Sequence, residues 1–307
     1  MRLGVLRNPA STGNRGRTPA PLPAGAGLET TEAPADCAAA LRRLCEAGAE
    51  AIVIDGGDGT VRAAATAAEA VFGEDAPPLG ILPRGNSNLI ARRLGAVRGT
   101  AGLARLAAMT AEAARSLTRP APALRFVFAE DGRVELGFVA GWGVYAAGRR
   151  IGAEEIAVRH GAQIAAAVFA AARRSLVGPE AARLRAGVPC RLSLDGAPAT
   201  EGPRFAGVIT TLPGRLLGPL DPFWGGGEGP IRWTDVAAPP RRLALALPFA
   251  LTGRPRRWME AAGYRSGRAS RLDLRVGGEL VVDGEVVAGS EGASVAVTTR
   301  SVRMIAA

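Results

Sequence analysis

The sequence predicts an α/β domain followed by a mainly β domain, and three observations support this division. Short apolar runs alternate with one-sided helical patterns over about the first 118 residues. The segment Thr118-Arg119-Pro120-Ala121-Pro122 then interrupts this alternation. Beyond it, runs of alternating character dominate, which is typical of antiparallel strands. The predicted domains are residues 1–118 and 119–299, with residues 300–307 as a segment that can return to the first domain.

The predicted α/β domain begins with strands that are short apolar runs bounded by turn residues. They cover Arg2–Arg7, Ala51–Asp55 and Leu79–Leu82. The predicted helices are Ala33–Ala47, Thr60–Phe72 and Ser87–Leu94. This alternation indicates a parallel sheet with helices packed on it, and such sheets bind ligands in the loops at the carboxyl ends of the strands.

The second domain is predicted to be largely antiparallel. Its predicted strands are Leu124–Phe128, Val134–Val139, Arg191–Leu194, Phe205–Thr211, Leu272–Val276, Glu279–Val282 and Ala293–Thr298. Two helical patterns, Ala153–Leu176 and Arg241–Thr252, interrupt them. A buried helix face is favoured over a membrane-surface role for both, although their apolar stretches are compatible with either.

The charge and composition limit which side chains can contact phosphate, but they do not identify the binding partner. The 307 residues carry a formal net charge of +10, and all 38 basic residues are arginine. Nucleic acid, acidic lipid surfaces and phosphorylated substrates are all compatible with that charge. Any phosphate contact must use guanidinium groups or backbone N–H donors, and mechanisms that need lysine are excluded. Nucleic acid ranks last, because no recognisable module is present and only 5% of the residues are aromatic.

The cellular location is predicted from cysteines and apolar runs. Cys37, Cys45 and Cys190 form an odd set without metal-site spacing, which favours small buried residues in a reducing compartment. The N-terminal residues lack the apolar stretch of a signal peptide, and no uncharged run has the length of a spanning helix. These features predict a cytoplasmic protein.

A glycine-rich turn follows the second predicted strand of the first domain. Gly56, Gly57 and Gly59 precede or begin a helix that includes Thr60. Glycines let backbone N–H groups approach an anion closely, and a helix N-terminus adds a favourable dipole. Asp58 within the turn would repel phosphate unless a cation lies between them, which favours Mg-ATP. The turn differs from both the Walker A and GxGxxG patterns.

Four ordered motifs carry a family resemblance. They are NPASTGNRGR at 8–17, GGDGT at 56–60, LGILPRGNSNLIARRLG at 79–95 and ELVVDGEVVAG at 279–289. Together they resemble the diacylglycerol kinase catalytic domain family, which includes bacterial lipid kinases and sphingosine kinases and is related to NAD kinases. The resemblance implies a Rossmann-like three-layer ATP-binding domain, a β-sandwich-like domain for the lipid, and a cleft where the substrates meet.

The resemblance also implies the roles of individual residues. Asn8 belongs to the first nucleotide-side loop, and Thr31 borders the adenosine site. Residues 56–60 line the phosphates, and Asp58 is also an implied catalytic residue, which contacts the magnesium ion directly or through water. Gly85, Asn86 and Asn88 form the next nucleotide loop. Glu285 is the implied general base, since phosphoryl transfer needs a carboxylate to accept the hydroxyl proton.

The implied activity is transfer of the γ-phosphate of ATP, with Mg²⁺, to a hydroxyl of diacylglycerol or a related lipid. Paired arginines at 149–150, 173–174 and 241–242 and the cluster at 254–257 can together bind anionic head groups, which would bring the protein to the inner membrane face. His160, the single histidine, is interpreted as a solvated residue.

Several positions depart from the family pattern. Ala63 stands where the family usually has a glutamate, Asn86 replaces a threonine, and Leu89 replaces an aspartate. Glu228 retains a single carboxylate at the position of a structural magnesium in some bacterial members, and the loss of the second acid argues against that site. Two alternatives therefore remain open: a nucleotide- or lipid-binding protein with lost or altered catalysis, and an NAD kinase-like activity.

Overall fold

The computed structural model describes residues 1–148, 171, 173–216 and 220–307. His160 and the pair Arg149-Arg150 lie outside the described residues. Most of the helical pattern predicted at Ala153–Leu176 lies outside them too. Within the described part, the chain divides into two compact units, Met1–Ala123 with Ser301–Ala307, and Leu124–Arg300.

The first unit is an α/β domain built on a parallel sheet. Its strands are β1 (Leu3–Arg7), β2 (Gly27–Thr30), β3 (Ala51–Gly56) and β4 (Leu79–Pro83). Its helices are α1 (Cys37–Glu46), α2 (Asp58–Phe72), α3 (Leu89–Leu94), α4 (Gly99–Ala107) and α5 (Ala111–Leu117). The order is β4-β3-β1-β2, and Met304 and Ile305 add a further parallel partner beside β4. β1 and β3 are buried throughout, as near-continuous apolar runs predict.

The second unit is antiparallel. Its strands are β5 (Thr118–Phe128, which begins in the first unit), β6 (Val134–Gly137), β7 (Val139–Gly143), β8 (Val188–Leu194), β9 (Thr200–Thr210), β10 (Ile231–Ala237), β11 (Tyr264–Ala269), β12 (Leu272–Val276), β13 (Val281–Val282), β14 (Glu285–Val286) and β15 (Ser294–Ile305, which ends in the first unit). Its helices include α6 (Ala181–Ala186), α7 (Leu243–Leu251) and α8 (Arg257–Ala261). Their core contains Phe126, Trp142, Ile209 and Val297.

The predicted class, α/β plus mainly β, is confirmed, and several element boundaries differ from the prediction. The strand predicted at Val134–Val139 is two strands separated at Phe138. The backbone N–H of Phe138 donates to the carboxylate of Asp283 and not to a neighbouring strand. Strands β2, β10, β11 and β14 were not predicted. Strand β2 is short and only half-buried, so it lacks the apolar run by which β1 and β3 were identified.

Candidate functional site

A buried carboxylate joins the loops at the carboxyl edge of the parallel sheet. Asp55, near the end of β3, accepts a hydrogen bond of 2.6 Å from Arg7 Nη1 and one of 3.0 Å from Arg84 Nε. The side chains of Arg7 and Asp55 are each 4% exposed. Arg7 Nη2 also donates to the carbonyl of Arg17, at 2.7 Å. One ion cluster therefore holds the loops after β1 and β4 against the end of β3.

Asn8 connects the first loop to the start of α2. Its Nδ2 donates to Thr60 Oγ1 at 3.0 Å, and its backbone N–H donates to the carbonyl of Asp55. Buried Asn14 reinforces this loop by donating to the carbonyls of Asn8 and Asp55, both at 2.9 Å. The structure therefore brings together Asn8 and Thr60, which were predicted as site residues from separate motifs.

The glycine turn leaves backbone donors at the start of α2 for which no described residue is an acceptor. Gly57 precedes the helix in extended conformation, and Val61 N–H is the first to donate back, to the Gly57 carbonyl. Among the described residues, none accepts a hydrogen bond from the N–H groups of Asp58, Gly59 or Thr60. Such first-turn donors, together with the helix dipole, favour an anion.

The loop after β4 approaches this turn at glycine. A Cβ built on Gly85 would lie 2.8 Å from Gly57 Cα, so only glycine permits the observed approach. Asn88, at φ +46°, accepts from Gly85 N–H and donates to the Gly85 carbonyl, both at 2.7 Å. Its side-chain amide therefore holds this loop in shape. Asn86 is exposed.

Asp58 has a contact that the sequence did not reveal. Its carboxylate accepts from the backbone N–H groups of Leu89 at 2.9 Å and Ile90 at 3.1 Å, and from the hydroxyl of Ser87. It therefore stabilises the N-terminus of α3, which explains how an acid can lie in a turn with anion-binding donors. A carboxylate has about four acceptor positions, so about one remains for a further ligand.

Thr31 lies at the end of β2 and begins the path into α1. Its backbone N–H donates to the carbonyl of Arg7, and its hydroxyl donates to the carbonyl of Ala33 at 2.7 Å. The hydroxyl is also 3.7 Å from Cys37 Sγ. Burial raises the pKa of the Cys37 thiol, so the thiol stays protonated at neutral pH. Because its N–H bonds to the carbonyl of Arg7, the last residue of β1, Thr31 lies at the same carboxyl edge of the sheet.

Glu285 lies in a tight hairpin of the second unit. The turn residues Asp283 and Gly284 have φ values of +48° and +86°, as a two-residue hairpin turn requires. The Asp283 carboxylate accepts from the N–H groups of Phe138 and Val139, at 3.0 and 2.9 Å. Glu285 is exposed on β14, the terminal strand of its sheet order. Asp283 therefore anchors the hairpin that carries the exposed carboxylate of Glu285.

A second Asp-Gly turn has the same construction. Asp195 and Gly196 have φ values of +49° and +77°, and Asp195 Oδ1 accepts from the N–H groups of Ser270 and Arg271, both at 2.8 Å. An anchored Asp-Gly hairpin is thus a structural device of this fold. The turn alone does not distinguish Glu285 as a functional residue.

Metal-ligating groups are sparse in the described ranges. Glu228 is exposed, between Gly227 and Gly229, which both have positive φ. No group of three or more histidine, cysteine or acidic side chains suited to a metal occurs at residues 1–148, 171, 173–216 or 220–307.

Comparison with known proteins identifies the first unit. Residues 2–119 match the diacylglycerol kinase catalytic domain family. This match confirms the resemblance carried by the motifs at 8–17, 56–60 and 79–95. No curated protein matches the chain.

Solved structures from Bacillus anthracis str. Sterne share the fold over the whole chain. Two are of proteins provisionally assigned as diacylglycerol kinases, at 15% identity with TM-scores of 0.66 and 0.62. A third is of a diacylglycerol kinase, at 13% identity with a TM-score of 0.61. Each alignment covers 100% of this chain and 97% of the other. At this identity the likeness shows the two-domain fold.

Proposed function

We propose that this chain transfers the γ-phosphate of ATP to a hydroxyl of diacylglycerol or a related lipid. The observation that carries the proposal is the set of N–H donors at Asp58, Gly59 and Thr60, which have no acceptor among the described residues. They lie in a domain that matches the diacylglycerol kinase catalytic family. Contact with an anionic membrane is part of the proposal, because a diacylglycerol acceptor resides in a bilayer.

The phosphate groups would rest on backbone donors. The chain has no lysine, so its charge contribution must come from arginine. Arg84 is the candidate, because its guanidinium is 28% exposed while its Nε is held by Asp55 and its backbone N–H donates to the Gly56 carbonyl. The close approach of Gly57 and Gly85 keeps side chains out of this space.

Mg²⁺ fits this site through the remaining acceptor position of Asp58. It keeps several waters and binds one or two carboxylates plus substrate phosphates, which suits a turn with a single acid. When bound, it would neutralise charge on the phosphate oxygens. Asp58 would contact Mg²⁺ through this one position, while its other acceptor positions keep their hydrogen bonds at the N-terminus of α3.

Glu285 is proposed as the base that accepts the proton of the lipid hydroxyl. It is exposed on a hairpin that Asp283 anchors, so its carboxylate is presented on a fixed backbone. A positioned general base contributes typically about 10²–10⁴-fold to the rate. Replacing it should therefore remove most of the transfer without changing the fold.

Transfer of labelled phosphate from ATP to a panel of extracted lipids tests the proposal. Glu285→Gln should lower the rate by about 10²-fold or more. Glu291→Gln is the matched control, because Glu291 is an exposed glutamate of the same unit. Equal rates for Glu285→Gln and the unchanged protein would contradict the assignment of the base.

A nucleotide-binding protein without transfer is the second candidate. It is favoured by Ala63, where a family acid is absent, and by the use of the Asp58 carboxylate at α3. ATP binding with no transfer to any lipid in the panel would support it. Replacing the lipid by NAD in the same assay tests the NAD kinase-like alternative.

A further inference from the structure

Helix α7 is apolar on every side, including the side that faces solvent. Its nine residues, LALALPFAL, contain no polar side chain. Leu243 and Ala246 are buried against a core that includes Met259 and Tyr264. Ala244, Leu245 and Pro248 are exposed on the outward side, with Leu245 53% exposed. A surface helix of a soluble domain normally carries polar residues on that side, so this face indicates a partner.

Arginines flank both ends of this helix. Arg241 and Arg242 precede it, and Arg254, Arg256 and Arg257 follow it, and all five are exposed. The sequence from 236 to 259 contains no acidic residue. Within the described ranges, no acidic side chain forms an ion pair with any of the five. Exposed arginines therefore lie at both ends of the apolar face.

An open cavity lies at the C-terminal end of α7. Its lining residues are Pro248, Phe249, Thr252, Arg254, Pro255 and Arg256. The guanidinium of Arg256 lies 4.4 Å from the centre of the Phe249 ring, which holds one charge at the cavity edge. An apolar wall with arginines at the rim suits the phosphate and upper acyl region of a lipid.

We propose that α7 and its five flanking arginines dock this protein on an anionic phospholipid surface, with Leu245 and Pro248 inserted among the head groups. Charge decides between the two main occupants. A second copy would bring five arginines against five arginines, whereas an anionic bilayer complements them. Insertion is shallow, since no helix in the described part of the chain is both long and apolar enough to cross a membrane. This surface deepens the lipid kinase proposal, but it is inferred from the composition of α7 and its flanking arginines and not from the chemistry at the glycine turn.

Vesicle co-sedimentation of the full chain without nucleotide tests this surface separately from activity. Binding should be strong with phosphatidylcholine vesicles that contain phosphatidylglycerol and weak with phosphatidylcholine alone. Arg254→Gln combined with Arg257→Gln should lower the partition coefficient by about 30-fold, since each basic residue near such a surface contributes about fivefold. Arg183→Gln with Arg185→Gln is the matched control, because both are exposed arginines with the same change in charge.

Leu245→Gln tests the apolar part of the surface. We expect about a fivefold loss of partitioning, because a half-exposed leucine has about half of its apolar area left to bury. Leu28→Gln, at another exposed leucine, should have no effect. Equal binding to both kinds of vesicle, or unchanged binding of the α7 variants, would overturn the proposal. A dimer abolished by Leu245→Gln would overturn it in favour of a second copy. Vesicle binding that persists in a protein without transfer activity would support the surface while the proposed function fails.

Discussion

Replacing Gly85 with alanine is expected to weaken ATP binding through a clash of two backbones. The added Cβ would lie 2.8 Å from Gly57 Cα, and both partners are main-chain atoms that cannot rotate away. Carbon atoms in contact prefer about 3.5–4.0 Å, so the loops must separate by roughly 1 Å. Overpacking of this kind costs about 1–3 kcal/mol of unfolding free energy.

The displacement matters because Gly57 leads into the proposed phosphate donors. A hydrogen bond of about 2.9 Å lengthened by roughly 1 Å is lost, and a hydrogen bond to a charged group contributes about 1.5–3 kcal/mol. The dissociation constant for ATP should therefore rise by about 10- to 100-fold. Isothermal titration calorimetry measures this constant, and urea unfolding measures the accompanying loss of stability.

Gly226→Ala is the matched control for this experiment. A Cβ at Gly226 would contact nothing within 4 Å, and its backbone does not need the left-handed region. That variant should bind ATP as the unchanged protein does. If Gly85→Ala kept both its ATP affinity and its stability, the close approach of the two loops would not be a constraint on the site, and the reasoning would be refuted.

Three further outcomes are expected. Arg7→Ala should lower the unfolding free energy by about 3–5 kcal/mol, because it removes the nearer partner of buried Asp55, and urea unfolding would show little change if the pair were unimportant. Ser87→Ala should cost about 1 kcal/mol and leave ATP affinity nearly unchanged, since Asp58 keeps its two backbone donors at α3; a large loss in calorimetry would contradict that role. Burial raises the pKa of Cys190 to about 12, so the unfolded thiol ionises first and stability should fall as pH rises from about 9 towards 12; Cys190→Ala should flatten that fall in urea midpoints.

The sequence by itself determined the class of the fold and the loops that carry the candidate site. The apolar runs at Ala51–Gly56 and Leu79–Pro83 are buried strands whose carboxyl ends share one edge, and strand periodicity is a local property that can be recognised without contacts. The same holds for the Asp283-Gly284 turn, since few residue pairs accept two positive φ values.

Only the tertiary structure decided how the polar side chains are used. Asp58 was expected to face a metal, and its carboxylate also holds α3, about 30 residues further along the chain. Asp55 and Arg7 were not predicted as a pair, because nothing in the local pattern of either strand specifies the parallel register that puts them side by side. Hydrogen bonds between residues distant in sequence depend on which strands become neighbours. The order and register of the strands depend in turn on the burial of apolar side chains over the whole sheet.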